Sequence, residues 1–383
     1  PMIDPAGARV GPWRTMVEAV AMRTTGLGGD SELHVQDEGL HGGVTLGPRR
    51  LIPVSLLASE APGPVHDALD EQLRRSAPNE NDACFVRAVP GIETGGLNER
   101  ESAVLRRIGD EIHPLGTVLH SRLEGQALRR LVARGLVQVA GPTPSDASHV
   151  LGRLETWDAD AARKALELTG RRRLGNGAML CPEPQALAKM IVDQLTHQTA
   201  LSLLETAFAE DEADFGLPPE DLARHVLMQT GLSRYHGLVR LETGLNVPVV
   251  GLGASAGSYY PAVGAQLGCR MILPDHADVA NAIGAVVGRV TIRRRGTVTS
   301  PAEGRIRVHL ETGPEDHAAP DAAMNALQAA LEADARTAAV AAGAEDIHLE
   351  VHKELRTAQA EGREVFIEAE ITVEASGRPR VAA

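Results

Sequence analysis

The feature that most constrains the fold of this chain is an alternation of short apolar runs and small-residue helical segments in its C-terminal half. Residues 247–252 and 270–273 have the composition of strands, the first of them buried, and residues 258–267 and 279–290 have that of helices. A strand followed by a helix and another strand implies a crossover connection, which places neighbouring strands parallel. This region is therefore predicted to be α/β with largely parallel strands.

Changes of pattern divide the 383 residues into four segments. Alternating apolar residues and glycine turns predict strands early in the chain, and helical periodicity dominates the middle. The expected segments are the first part of an α/β lobe (1–97), a helical insertion with a short strand that resembles a winged helix (98–140), a mainly helical part that continues into the alternating region (141–299), and a small α+β module (300–383). In that module, strands are expected at 305–310, 346–352 and 365–373, and a helix at 320–342.

Composition narrows the classes of function. The formal net charge of −13 argues against a general nucleic-acid or anionic-membrane surface, because both need a positive field. Three widely spaced cysteines form no CxxC pair and no disulfide framework. No apolar run approaches the roughly 20 residues that span a bilayer. These observations predict a cytoplasmic protein that binds neither membranes nor nucleic-acid polymers.

A first glycine loop, residues 26–31, has the sequence GLGGDS. Glycines permit positive φ angles and close backbone approach, and consecutive amides can then bind a phosphate. Asp30 is a candidate catalytic and metal-holding residue that orients a magnesium-bound water, and Ser31 can donate to a phosphate oxygen. The alternative is a plain hairpin turn. The cofactor-binding candidates of this loop are Gly26, Gly28, Gly29 and Ser31.

A second glycine loop, residues 251–257, follows the first strand of the alternating region. A strand that ends in small residues and opens a helix places backbone amides where an adenosine or a phosphate can lie. A tight strand-to-helix turn without a ligand is the alternative. Further on, small residues in the helix at 280–288 permit close packing against a neighbour. The cofactor-binding candidates of the second loop are Gly251, Gly253, Ala254 and Ser255.

These three elements, in this order, resemble the second lobe of the acetate-kinase, sugar-kinase, chaperone and actin superfamily. The first loop resembles its second phosphate loop, the second loop its adenosine loop, and residues 280–288 its second connecting helix. The resemblance implies an actin-like α/β ATPase lobe that binds ATP with Mg²⁺ or another divalent metal.

Three longer stretches are similar to proteins of the hydantoinase A/oxoprolinase family. They are VAMRTTGLGGDS at 20–31, TPSDASHVLG at 143–152 and LPDHADVANAIGA at 273–285. The resemblance implies ATP-dependent opening of a small cyclic amide, with a B-type hydantoinase subunit or a homo-oligomer as partner. The DxGGTxTD phosphate loop of the family pattern is missing, so we expect a fragment, or a chain whose first loop another chain supplies.

Asp146 and His149 lie three residues apart at an expected helix start, so they share one face of the helix. Together they are candidate catalytic residues that bind a metal or polarise a substrate amide. The alternative is that Asp146 complements the helix dipole beside a capping Thr143 or Ser145.

Further charged clusters leave other functions open. Asp275, His276 and Asp278 follow a predicted strand, where a metal or substrate site competes with helix capping. The arginines of the insertion 98–140 would suit a DNA-reading helix, but a docking role fits an acidic protein better.

The rival functions are a nucleotide-driven activator or reactivating factor for a partner enzyme and, last, a DNA-binding regulator.

Overall fold

The computed structural model describes most of the chain, and its contacts form two compact units, Pro1–Asp278 and Val279–Ala383. The structure is mixed α/β and contains several sheets. Within the described part, no helix is long and apolar enough to cross a membrane. The described residues are 3–4, 9–10, 13–14, 19–20, 22–36, 42–211, 213–302, 304–310, 313–360 and 363–380.

The secondary structure elements are numbered in chain order. The helices are α1 Val54–Glu60, α2 Pro62–Arg74, α3 Glu99–Ile108, α4 Leu115–Val118, α5 Arg122–Ala133, α6 Pro144–Val150, α7 Ala159–Gly170, α8 Pro184–Glu210, α9 Pro219–Arg224, α10 Val226–Leu232, α11 Ala256–Leu267, α12 Ala280–Val287 and α13 Pro320–Ala341. The strands are β1 Ile3–Asp4, β2 Arg9–Val10, β3 Trp13–Arg14, β4 Ala19–Val20, β5 Ser31–Gln36, β6 Gly43–Arg50, β7 Ile52–Pro53, β8 Phe85–Ala88, β9 His113–Pro114, β10 Val137–Gly141, β11 Tyr235–His236, β12 Arg240–Leu241, β13 Val249–Val250, β14 Met271–Ile272, β15 Val290–Ala302, β16 Arg305–Leu310, β17 Gly313–His317, β18 Ala344–Ala360 and β19 Arg363–Pro379.

The 27-residue helix α8 forms the centre of the N-terminal unit. Its buried side chains include Leu187, Ile191 and Leu195, which recur at helical spacing and share a core with the antiparallel hairpin β5–β6. The side-chain amide of Gln198 accepts the Leu46 N–H at 3.0 Å and donates to the Leu46 carbonyl at 3.1 Å. The hairpin that follows the first glycine loop is thereby fixed to the helix.

A four-stranded sheet with the order β7-β10-β8-β9 lies next to this core. Strand β10 pairs parallel with β7 and antiparallel with β8, so the last strand of the segment 98–140 continues the sheet of the rest of the unit. The segment contains the expected helices, α3 and α5, and a separate cluster of buried apolar residues. Helix α3 begins with a capping box between Asn98 and Glu101.

The alternating region has the predicted parallel pairing, since β13 and β14 are parallel neighbours with α11 between them in the chain. The prediction of a buried strand at 247–252 is wrong. Val247, Val250 and Leu252 are 60%, 57% and 52% exposed, because the sheet has only two strands in the described residues and no second layer covers this side. The small-residue helix α12 is likewise exposed at residues 281–285.

The C-terminal unit is a five-stranded antiparallel sheet of order β17-β16-β15-β19-β18 with α13 packed on one face. The three strands and the helix expected in this module are confirmed within a few residues, although β18 and β19 are much longer. The unit begins at Val279, whereas the sequence suggested residue 300, because β15 pairs with β19 along most of its length. Its core includes Val298, Leu327 and Ile371.

Candidate functional site

A cavity of about 540 Å³ lies in the N-terminal unit, and both glycine loops line it. All six residues of the loop 26–31 contribute, and Ala254 and Ser255 contribute from the loop 251–257. The structure therefore brings together two segments that were predicted to bind one ligand. The remaining lining residues are Thr24, Thr25, Arg50, Ser145, Trp157, Tyr259 and Tyr260.

The first loop contains a β-turn at residues 28–31. The Ser31 N–H donates to the Gly28 carbonyl at 3.2 Å, and the Gly28 N–H donates to Ser31 Oγ at 2.8 Å. The two central residues are Gly29 and Asp30, and their N–H groups have no hydrogen-bond partner among the residues the structure describes. Two consecutive free amides at the wall of a cavity are a suitable arrangement for binding an anion. Ser31 itself is buried and closes the turn.

Gly26 and Gly29 are required for close approach, and none of the three glycines of this loop has a positive φ angle. A Cβ at Gly26 would lie 2.7 Å from the Pro48 carbonyl oxygen. A Cβ at Gly29 would lie 2.7 Å from Ser145 Oγ and 3.2 Å from Ser255 Oγ. Gly29 is therefore the point where the first loop, the start of α6 and the second loop meet.

The second loop lines the cavity with Ala254 and Ser255. Ser255 is the N-cap of α11 without a side-chain cap, and the amides of Ala254 and Ser255 lack partners in the described residues. Gly251 and Gly253 do not line the cavity. Gly253 has a φ of +117°, and a Cβ at Gly251 would lie 2.3 Å from the Tyr260 ring. Gly251 thus leaves room for a side chain that does line the cavity.

Asp30, the predicted metal-holding and catalytic residue, forms an ion pair with Arg50. The carboxylate oxygen Oδ2 accepts from Arg50 Nε at 2.6 Å. The pairing follows from the strand register, which sets Ser31 opposite Arg50. Sequence reasoning missed Arg50, because its position beside the loop depends on that register. An exposed guanidinium at a cavity with free amides adds positive potential where a phosphate would bind.

Asp30 is the acidic residue that lines the cavity among the residues the structure describes. Across the described residues there is no group of three or more His, Cys, Asp or Glu side chains placed to hold a metal ion. Magnesium, however, usually binds through one or two carboxylates together with waters and substrate phosphates. The residues therefore fit a magnesium ion that arrives with a nucleotide and do not fit a resident metal centre.

Asp146 is fully buried, and the geometry favours the capping alternative over catalysis. Its carboxylate accepts hydrogen bonds from the N–H and hydroxyl of Thr143, from the Val54 N–H, and from the N–H and hydroxyl of Ser55, at 2.6–3.2 Å. It therefore joins the N-termini of α1 and α6 and does not face the cavity. Burial raises the pKa of Asp146, against the opposing effect of the hydrogen bonds from Ser55 and Thr143.

His149 is also buried and reaches the cavity only through a neighbour. Its Nε2 accepts the backbone N–H of Trp157 at 3.1 Å, so Nδ1 carries the proton that is donated to the Ser145 carbonyl at 2.8 Å. The imidazole stacks on the Trp157 ring with the centroids 5.3 Å apart. His149 is therefore a residue that positions Trp157 in the cavity wall.

Three aromatic side chains line the cavity, Trp157, Tyr259 and Tyr260. They are conspicuous because Phe, Trp and Tyr make up only 2% of the chain. Tyr259 and Tyr260 contact each other with ring centroids 4.6 Å apart. Flat apolar surfaces beside free backbone amides suit a ligand that has a planar ring and an anionic group. The signal in the sequence was the Tyr-Tyr pair directly after the second loop.

The remaining candidates do not join this site. Asp275, His276 and Asp278 are exposed, and none of them caps α12. In the segment 98–140, arginines are engaged locally, as in the ion pair between Arg107 and Glu124.

Comparison with known proteins gives no further assignment. No protein-family model, no curated protein and no solved structure matches this chain.

Proposed function

We propose that this chain is an ATP-dependent hydrolase of a small cyclic amide, of the hydantoinase/oxoprolinase type, whose N-terminal unit is a lobe of an actin-like ATPase. The observation that carries the proposal is that both glycine loops line one cavity, and that the amides of Gly29 and Asp30 in the first loop and of Ala254 and Ser255 in the second have no hydrogen-bond partner among the described residues. Each pair of amides suits phosphate oxygens.

The other lining residues complete a nucleotide site. Arg50 supplies a positive charge next to the phosphates, and Trp157 and Tyr260 offer flat surfaces for the adenine ring. Magnesium neutralises phosphate charge when it is bound, and Asp30 would hold it once the carboxylate leaves Arg50.

The proposed reaction transfers the γ-phosphoryl group of ATP to the amide oxygen. The new bond joins that oxygen to phosphorus, the bond from phosphorus to the bridging oxygen breaks, and ADP leaves. Water then adds to the activated ring carbon, the ring C–N bond breaks, and the nitrogen takes the proton. A second water hydrolyses the resulting acyl phosphate to a carboxylate and phosphate. Fixed amides stabilise the charge that develops during transfer, because they need no reorganisation.

The test is equilibrium binding of ATP with magnesium to the unmodified chain and to two glycine variants. A Cβ at Gly28 would meet no protein atom closer than 3.7 Å, so Gly28→Ala leaves the free protein undisturbed while its methyl group narrows the phosphate space. We expect it to lower ATP affinity about tenfold, or roughly 1.4 kcal/mol. Gly257→Ala is the matched control, since Gly257 has equally open surroundings and does not line the cavity.

Unchanged affinity in Gly28→Ala, or no ATP binding by the unmodified chain, would refute the nucleotide site. The enzyme class is tested separately by phosphate release. Stimulation of ATP turnover by a cyclic amide supports the hydrolase.

One observation favours the second candidate, a nucleotide-driven activator of a partner enzyme. Large apolar side chains are exposed at several positions between residues 226 and 252, and a partner protein could cover them. Turnover that a partner protein stimulates and cyclic amides do not would favour this function. The exposed side chains are Val226, Leu227, Leu238, Val239, Val247, Val250 and Leu252.

A further inference from the structure

The five-stranded sheet of the C-terminal unit has two unlike edge strands. One edge is β17, which has five residues and includes Pro314, Glu315 and Asp316. Short length, proline and charge are common means by which a protein keeps an edge strand from pairing with another chain. The other edge is β18, which has 17 residues and no proline. Its pairing with β19 is regular from His348 to Arg356, so it presents a long, even row of backbone groups.

The second side of β18 is open. Among the residues the structure describes, β18 pairs only with β19, and no backbone hydrogen bond from another element reaches it. On the face that carries α13, Leu355 is 54% exposed and Val351 is only partly buried. Unpaired N–H and C=O groups beside exposed apolar side chains favour the addition of a further strand.

On the face away from α13, two glutamates of β18 lie opposite glutamates of β19. The register sets Glu350 opposite Glu374 and Glu354 opposite Glu370. Both β19 carboxylates already pair with arginines of β15. Glu350 and Glu354 are exposed and have no ion pair among the described residues. Like charges directly opposite each other are unfavourable, so this edge is suited to a neighbouring strand that supplies cations.

We propose that this neighbour is β18 of a second copy of the chain, paired antiparallel about a two-fold axis at Lys353. In that register Glu350 lies opposite Arg356 of the partner subunit, and Glu354 lies opposite His352 of the partner subunit. The axis repeats both pairs. The Arg356 side chain is 76% exposed and has one ion pair in its own chain at 3.4 Å, so it retains donors for a second carboxylate.

The same register pairs apolar residues on the face that carries α13. Leu355 lies opposite Val351 of the partner subunit, so the dimer covers a leucine that a single chain leaves exposed. Lys353 lies opposite its own copy, and this like-charge pair limits the affinity. Because the paired segment is short, we expect a dissociation constant in the micromolar range. The other edge, β17, is protected, so the assembly ends at two copies.

Neighbouring registers lose the charge pairs or the regular pairing. An axis at His352 sets Glu350 opposite Glu354 of the partner subunit, and an axis at Glu354 sets that residue opposite its own copy. An axis at Val351 carries the pairing into the irregular segment 345–348, where the register of β18 shifts. The axis at Lys353 therefore specifies the dimer through charge as well as through backbone pairing.

The test is sedimentation equilibrium of the whole chain over the micromolar range. Glu350→Arg is expected to weaken dimerisation about tenfold, because arginine then lies opposite arginine across the axis. It preserves the single chain, since the new cation lies opposite Glu374. The double variant of Glu350→Arg with Arg356→Glu exchanges the two charges and restores the dimer. Glu315→Arg is the matched control, because it makes the same change of charge on β17 and leaves dimerisation unchanged.

Lys353→Thr tests the centre of the interface in the opposite direction. Removing the like-charge pair should tighten the dimer about threefold. Thermal unfolding of each variant checks that it is folded. A chain that stays monomeric throughout the micromolar range overturns the proposal. So does a dimer that Glu350→Arg leaves unchanged, or one that the double variant fails to restore.

Discussion

The two glycine loops line the same cavity but differ in how well the strands beside them are packed. The first continues into the hairpin β5–β6, whose Leu46 is 5% exposed and is bonded through its backbone to Gln198 of α8. The second follows β13, a two-residue strand flanked by exposed Val247 and Leu252. A ligand that bridges both loops therefore joins a well-packed half of its site to a lightly packed one. The lightly packed half is where we expect ligand-dependent ordering.

The first test of this contrast truncates one leucine side chain beside each loop, Leu46 in β6 and Leu252 after β13. Leu46→Ala deletes a buried side chain and is expected to lower the free energy of unfolding by about 3 kcal/mol. Leu252→Ala is the matched variant, and because Leu252 is 52% exposed we expect a change within about 0.5 kcal/mol. Urea denaturation measures both. Similar losses of unfolding free energy in the two variants would mean that Leu252 and the strand β13 are covered in solution.

A second test concerns Asp146, whose carboxylate joins the N-termini of α1 and α6. Asp146→Asn replaces a carboxylate oxygen that accepts hydrogen bonds with an amide group that donates, so two N–H groups would face each other. We expect a loss of about 2 kcal/mol in the free energy of unfolding. A loss below about 0.5 kcal/mol would show that the helix N-termini do not depend on this residue.

The pH dependence of that variant tests the direction of the pKa shift. Since burial raises the pKa of Asp146 in the folded chain, its contribution is fully present below the unfolded pKa of about 3.9 and declines as the pH rises through the folded pKa. The stability difference between the unmodified chain and Asp146→Asn should therefore shrink from acid towards neutral pH. A difference that grows over this range would show that the hydrogen bonds lower the pKa instead.

A third test compares one glycine from each loop. A Cβ at Gly26 would meet the Pro48 backbone, which cannot move without the hairpin, and we expect Gly26→Ala to cost about 2 kcal/mol. A Cβ at Gly251 would meet the ends of the Tyr260 and Leu273 side chains, which can give way. We expect Gly251→Ala to lower the free energy of unfolding by about 1 kcal/mol. It should also weaken ATP binding, because the Tyr260 side chain moves. Equal losses of unfolding free energy in Gly26→Ala and Gly251→Ala would contradict the proposed difference in packing between the two loops.

The smallest expected effect concerns the segment 98–140, for which we expect no salt-sensitive affinity for duplex DNA. Arg107 pairs with Glu124 and lowers the pKa of that carboxyl group to about 2, and Arg130 lies 3.4 Å from Glu101. These cations are already neutralised within the segment. Tight, sequence-selective binding in a gel-shift assay would contradict this expectation.

Sequence reasoning succeeded where the signal was local. The parallel pairing of β13 and β14 and the elements of the C-terminal sheet follow from periodicity and turn residues. It failed where the outcome depends on distant residues. Apolar composition at 247–252 predicts burial, but burial also requires a second layer. The surroundings of Asp146 could not be predicted either, because its donors from Val54 and Ser55 lie far away in the chain.

The stacking of His149 on Trp157 makes the cavity observable by optical spectroscopy. The chain has two tryptophans, and the ring of Trp157 borders the cavity and stacks on an imidazole. Replacing Trp13 with phenylalanine would leave a single indole emitter at the site. A base or planar ring that slides against it would change its emission intensity and wavelength. Occupancy could then be followed in real time without a dye, a label or a turnover assay.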